Sequence, residues 1–429
     1  MTTRFVPILA VAVVAACSRS SGSTTGPGPT GALDVTITAP AGVTAKVHVI
    51  TPDDSVITIN ASQTLNGLAP GNYLVRASSG TTADPIVGTG YTGAVTGSPA
   101  TVTGGQTASA TVTYGAPRAN AGVLWVANEA GNTISGFSSA NLSASGAPAP
   151  GIVLGDGSGT SSVKTPMGVA VDSSGGVWWV SGTNTISYYT ASQVAASTNA
   201  APARKITSAS LSDAISLAFD PSGDLWVADR IRSSLNEFTP AQLQSGGSQP
   251  ASVIIGRVLG SLQRPWPMAF DAKGDLWVSN FDDSSVVGYA PAQLQASGYP
   301  VPYAAISLSP GLSNPMGIAF DPQGNLWVGN LKDSLSKFTP DQLTSVGRPT
   351  PAITITFSSV TTPDALAFDN SGSLWVLGFV SNKLLKFTAN QLTSSGSPAP
   401  AVLITNSAGS LTIPGGMAFS PSAANVPVP

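Results

Sequence analysis

Hydrophobic and polar side chains alternate with a period of two over most of the chain. From residue 32 to about 116 the runs are "LDVTITA", "AKVHVI", "SVITIN", "NYLVRA" and "SATVTY". Such alternation sends successive side chains to opposite faces, as in a half-buried strand. The intervening "APAG", "TPDD" and "APGN" are turn signals. The stretch predicts a small antiparallel β-sandwich over 32–116.

Beyond it the chain repeats itself. Trp125, Trp178, Trp226, Trp277, Trp327 and Trp375 recur about every 50 residues, each in an "LWV"-like run, "VWW" in one case. Around Trp327, "MGIAFD" reads as an innermost strand, "LWVGN" as the second, "SLSKF" as the third and "AITITF" as the outermost. Four strands per unit predict a propeller blade, and six units predict six blades over 117–425, leaving a tail of 426–429. "TPDQL" lies in the long third-to-fourth connection, with Thr339 set to cap a helical turn and Pro340 at its first position. The propeller begins on a second strand, "VLWVAN", and closes on an innermost one, "GGMAFS". The last strand is therefore expected to complete the first blade. The fold class is all-β: a six-bladed β-propeller preceded by a small antiparallel β-sandwich.

The unit "AFDPxGxLWVxN" resembles NHL-type repeats and the related lactonase and streptogramin-lyase propellers. "LNGLAPGNYLVRA" with "TGGQTASATVTY" resembles PEGA-type and prealbumin-like surface domains. The lactonase resemblance implies a divalent metal at the channel mouth, and the lyase resemblance implies histidines. The only histidine is His48. It lies in the sandwich, so the propeller departs from the lyase pattern.

Six copies in one chain act as an internal control: a scaffold role recurs in every blade, and a chemical role breaks the repeat. Ala170, Ala218, Ala269, Ala319, Ala367 and Ala418 recur beside bulky Val171, Phe219, Phe270, Phe320, Phe368 and Phe419. Both series, like the Trp series, read as packing between converging blades. "DPSGD" at 220–224 has siblings "DSSGG", "DAKGD", "DPQGN", "DNSGS" and "SPSAA", so five of the six keep the first Asp and the Gly. The first Asp and the Gly persist while the second Asp does not, which marks a turn rather than a cation loop.

After "LWVx" come Asn128, Gly182, Asp229, Asn280, Asn330 and Gly378. These are expected to ring the channel mouth and bond to the backbone of the next blade. Asn128, Glu129, Asp229, Asn280 and Asn330 are also the weak candidates for Ca²⁺ or another divalent cation. Trp266 replaces Met167, Ile215, Met316, Asp364 and Gly415 of its siblings, so packing does not demand it. With Arg230, Arg232, Arg264, Asp282, Asp283 and Lys332 in neighbouring loops it forms the candidate ligand-binding face. No catalytic residues are assigned, since G-x-S-x-G, CxxC, HExxH and Walker patterns are all missing from the sequence.

Composition narrows the class of partner. Charged residues make up 9% of the chain and the formal net charge is −3, which disfavours nucleic acid. The start, "MTTRFVPILAVAVVAACSRSSG", places Arg4 before an apolar run that is too short to span a bilayer. Its end, "VAAC", resembles the bacterial lipobox, and Cys17 is the only cysteine. The resemblance implies a signal peptide over 1–16, lipidation of Cys17 and a flexible tether over 17–31. It places the protein at the outer membrane or cell surface, and a monomer is expected. The expected function is a non-catalytic binding or scaffold module for a protein, glycan or small ligand. The alternative is a metal-dependent hydrolase resembling gluconolactonase-type propellers.

Overall fold

The computed structural model describes residues 29–53, 55–78, 80–81, 90–117, 122–259, 261–307, 309–358, 362–407 and 409–420. The signal segment, Cys17, most of the tether and the 426–429 tail lie outside the described residues.

Two sheets built from 31–117 pack face to face. The inward residues of each run (Leu33, Val35, Val47, Val49, Val75, Val112) share one core with Tyr73 and Tyr114. Pairing is antiparallel except that the first strand, Gly31–Thr38, runs parallel to the last, Thr107–Pro117. His48 is buried and shared between Thr58 Oγ1 at 3.0 Å and Ser78 Oγ at 3.1 Å. Burial, then Lys46 and Arg76, lower its pKa to about 4, so it is a neutral strand residue.

Six further sheets are the blades. Blade 1 pairs Val123–Asn128 with Thr133–Ser138 on one side and with the C-terminal Pro414–Ser420 on the other. The last strand thus closes the ring, as the order of strand types predicts. The inner strands of blades 2 to 6 are Val169–Val171, Ala214–Phe219, Pro265–Phe270, Pro315–Phe320 and Pro363–Phe368. In every blade the recurring Ala sits opposite the recurring Trp, Ala319 against Trp327 for example. The small side chain leaves room for the next blade: Trp327 meets Phe368 edge-on at 6.4 Å, Trp375 meets Phe419 at 6.5 Å and Trp277 meets Phe320 at 6.2 Å. Each such indole takes roughly 200 Å² of surface out of water, on the order of 5 kcal/mol of transfer free energy.

The Asp–Gly turns form as expected. Asp220 Oδ1 accepts the Ser222 and Asp224 N–H groups at 2.8 and 3.0 Å, and Gly223 has φ of 90°. The same carboxylate does more than shape a turn: its second oxygen accepts the indole N–H six residues on. Asp172–Trp178 is 2.9 Å, Asp321–Trp327 3.0 Å and Asp369–Trp375 3.0 Å.

The long third-to-fourth connection has a function in closing the sheet edges. Thr239 and Thr388 cap their helical turns through the side-chain oxygen, whereas Thr339, expected to do so, makes no side-chain cap bond; in each connection a glutamine fixes the loop that follows. Gln342 accepts the Thr339 N–H at 2.9 Å and donates to the Thr350 carbonyl at 2.7 Å. Gln193, Gln242, Gln293 and Gln391 repeat both bonds. The connection then pairs in parallel with the outermost strand of the preceding blade. Examples are Ile206 with Gly247, Ile306 with Gly347 and, across the closure, Ile404 with Gly146. Outer edges that would otherwise template aggregation are covered this way.

The sandwich touches the turn-bearing face of the propeller. Arg76 Nη1 donates to the Ala272 carbonyl at 3.5 Å; burial lowers its pKa, and Asp271, Asp220 and Asp275 partly offset this. Lys46 faces Asp321 and is lowered by burial to about 8.

Candidate functional site at the axial mouth

On the opposite face the inner strands of five blades, all but blade 2, enter their sheets through an irregularity. In blades 3 to 6 the register shifts between Ala214 and Ser216, Pro265 and Met268, Pro315 and Ile318, and Pro363 and Ala365. Blade 1 does the same around Gly415. A bulge releases a residue from the ladder and re-aims its side chain. The released residues include Ile215, Trp266, Met316 and Asp364, the set in which the internal repeat breaks down.

Asn and Asp at the ends of the second strands hold these bends. Asn128 Oδ1 accepts the Thr412 N–H at 3.2 Å, Asn280 Oδ1 accepts Gln263 N–H at 3.0 Å and Asn330 Oδ1 accepts Ser313 N–H at 3.1 Å. Asp229 accepts the N–H groups of Ser212 at 2.5 Å, Asp213 at 2.9 Å and Arg232 at 2.7 Å. All four are fully buried. The bonds run to the segment entering the same blade, not to the next blade as the sequence reading expects. That segment and the second strand are two arms of one hairpin, so it is the nearer partner. The side-chain oxygens of Asn128, Asp229, Asn280 and Asn330 considered for a cation are therefore committed to backbone donors, while Glu129 stands apart from this set. Among the described residues, no group of three or more His, Cys, Asp and Glu side chains is disposed to hold a metal ion.

Trp266 behaves differently. Its indole N–H donates to Asp364 Oδ1 at 2.5 Å, from blade 4 to blade 6. A bond that skips blade 5 has to span the axial opening. Arg230 of blade 3 lies over the Trp266 ring at 5.0 Å and pairs with Asp213 at 2.6 Å. Glu129 of blade 1 completes the group: Arg230 and Asp213 are the charges it senses. Burial raises Asp364 to about 7, with Glu129 adding to the shift and the Trp266 bond and Arg230 opposing it. Burial also raises Glu129, which Arg230 partly offsets and Asp213 reinforces.

The aromatic surface extends outward. Phe281 lies 5.8 Å from Trp266, and Arg264 covers Phe281 at 5.5 Å while pairing with Asp282 at 3.2 Å. Arg230, Trp266, Phe281, Arg264 and Asp282 thus form one strip running out from the axis. Asp283 is half-buried beside it and accepts from Ser285 Oγ at 2.7 Å. Arg232 and Lys332 are exposed and take no part in these contacts.

Asp364, Asp213 and Phe281 belong to the cluster but are not among the residues singled out from sequence. Asp364 carried a readable signal, an acid at a position occupied by Met167, Ile215, Trp266 and Met316 elsewhere. Phe281 and Asp213 are recognised only through their contacts, with the Trp266 ring and with Arg230.

No family model matches the chain, and no curated protein is similar to it. Among solved structures, it is similar to selenomethionine-substituted virginiamycin B lyase from Staphylococcus aureus at 15% identity and TM-score 0.42. That match covers 72% of this chain and 83% of the other. A protein of unknown function from Bacteroides caccae gives 13% identity and TM-score 0.46, covering 69% and 97%. A streptogramin B lyase structure gives 16% and 0.38, covering 55% and 70%. At these values the likeness carries no argument about activity.

Proposed function

We propose that the chain is an exported, lipid-anchored binding module whose propeller takes a glycan or a small polar ligand at the axial mouth, without catalysing a reaction. The observation that carries this reading is the Trp266–Asp364 bond across the axis. The repeat is broken at both positions, and the two residues meet from non-adjacent blades. The strip of Trp266 and Phe281 offers apolar ring faces, while Arg230, Glu129 and Asp282 offer donors and acceptors at its edges. Ring faces bordered by hydrogen-bonding groups suit a sugar, whose own faces are apolar and whose rim is hydroxylated. The sandwich touches the opposite face of the propeller. The mouth consequently points away from the domain that joins the tether.

The test is a glycan array and small-molecule screen on the full chain beside Trp266→Ala. Binding that drops at least tenfold in the variant, with unchanged melting temperature, supports the reading. Ligands retained equally by both proteins would remove the mouth as the site. Anchoring is tested separately: Cys17→Ser should move the protein from the membrane to the soluble fraction, and equal retention would sink the lipobox reading.

A further inference from the structure

A cavity of about 370 Å³ opens on the turn-bearing face between blades 2 and 3, far from the axial mouth. Its walls include Tyr188, Arg204, Phe219, Ser222, Pro240 and Leu243. The volume falls in the range of small-molecule sites. The repeat breaks around it at three matched positions.

The residue paired with the recurring Trp is Tyr188 in blade 2, and Gly136, Glu237, Gly288, Lys337 and Lys386 in the others. Tyr188 stacks on Trp178 at 4.3 Å. Gly176 makes this possible, since a Cβ there would lie 2.4 Å from the Tyr188 ring. The corresponding residues are Asp224, Asp275, Asn325 and Ser373. Opposite Tyr188 on the outermost strand stands Arg204. Every other blade has an apolar residue there: Ile152, Val253, Ala304, Ile353 and Val402.

The contrast with blades 5 and 6 gives Arg204 its meaning. There the cation is Lys337 or Lys386, and it ion-pairs with Asp321 or Asp369. In blade 2 the cation has moved outward to the cavity wall. Arg204 is held over the Tyr188 ring at 5.0 Å and has no ion pair among the described residues. The nearby Asp172 carboxylate is already committed to Ser174, Gly176 and the Trp178 indole. Phe219 is only half-buried, whereas Phe270, Phe320, Phe368 and Phe419 are buried, so its ring contributes an apolar wall.

We infer that this cavity is a second ligand site, for a small molecule that joins a carboxylate to an apolar body. The carboxylate meets the Arg204 guanidinium, whose fork suits two oxygens at once. The apolar body lies on Phe219, Pro240 and Leu243.

The experiment titrates the full chain with N-acetylphenylalanine, its primary amide and glucuronate, read by ligand-observed NMR. Arg204→Val and Arg204→Lys are titrated in parallel. Val stands at this position in blades 3 and 6 and the other three blades are apolar there too, so the fold should tolerate it, and an unchanged melting temperature verifies this. The expected result is binding of the acid, at least tenfold weaker binding of its amide, a loss of at least tenfold in Arg204→Val and a partial loss in Arg204→Lys. Equal binding of acid and amide, binding unaffected by Arg204→Val, preference for glucuronate, or no binding at millimolar concentration would each overturn the inference. Trp266→Ala should leave the titration unchanged, which separates this site from the mouth.

Discussion

Trp125 Nε1 and Ser420 Oγ are both buried, and neither has a hydrogen-bond partner among the described residues. In the other five blades the indole donates to the Asp that ends the inner strand. Blade 1 is assembled from the two ends of the propeller, and Ser420 stands where that Asp belongs. An unpaired buried donor costs about 1–3 kcal/mol. Ser420→Asp is therefore expected to stabilise the protein by about 1 kcal/mol. A double-mutant cycle with Trp125→Phe checks the cause: the gain should vanish when the indole N–H is gone. A gain that survives in Trp125→Phe would refute this account.

Within the same Asp series the replacements should differ in cost. Lys386 Nζ lies 2.8 Å from Asp369 Oδ2 and 5.3 Å above the Trp375 ring, and both charged groups are buried. Removing Asp369 strands a buried ammonium, so Asp369→Ala is expected to cost about 3–5 kcal/mol. Asp172 serves only hydrogen bonds, and Asp172→Ala should cost about 1–3 kcal/mol. Urea unfolding of the two variants decides, and equal losses would argue against a paired charge in blade 6.

The glutamine bonds predict a local rather than a global weakness. Gln391 accepts the Thr388 N–H at 2.9 Å and donates to the Ala399 carbonyl at 2.6 Å. The loop it holds supplies Gly396, which pairs with Ile355 on the edge of blade 5. Gln391→Ala should cost about 1–2 kcal/mol. Amide exchange at Gly396 and Thr356, which bond to neighbouring strands, should accelerate while that of the Trp375 strand does not. Uniform acceleration across blade 6 would show that the staple is global.

Much of this architecture was legible because the chain carries its own comparison. The Trp spacing gave six blades, the alternation gave the sandwich, and the terminal strand types gave the closure. The Asp220 series read correctly as turns. Its bond to the indole six residues on did not, since a hairpin register is needed to bring the two together. The mouth was half legible for a similar reason. Trp266 stood out against its siblings, and Arg230 lay in the loop that follows a strand end. Their meeting with Asp364 depends on bulges and on ring closure, which no local pattern encodes. The glutamine in "TPAQL" and "TANQL" was visible as a repeat, but its acceptor eight residues away was not.

The mouth should show itself in the pH dependence of stability. Asp364 is raised from 3.8 to about 7 in the folded chain, chiefly by burial. Between those values the folded protein keeps a proton that the unfolded chain has released. Its contribution is therefore fully present below about pH 4 and is lost as the pH rises through 7. Asp364→Asn keeps an oxygen to accept the Trp266 indole and removes the ionisation. The variant should match the wild type near pH 4 and exceed it at pH 8, by up to roughly 4 kcal/mol. Asp271 and Glu237 are also raised to about 7, but they are present in both proteins and cancel in the difference. Urea unfolding at pH 4, 6 and 8 supplies the comparison. A difference that stays constant across this range would mean that Asp364 does not titrate there, and that the carboxylate at the mouth is open to water.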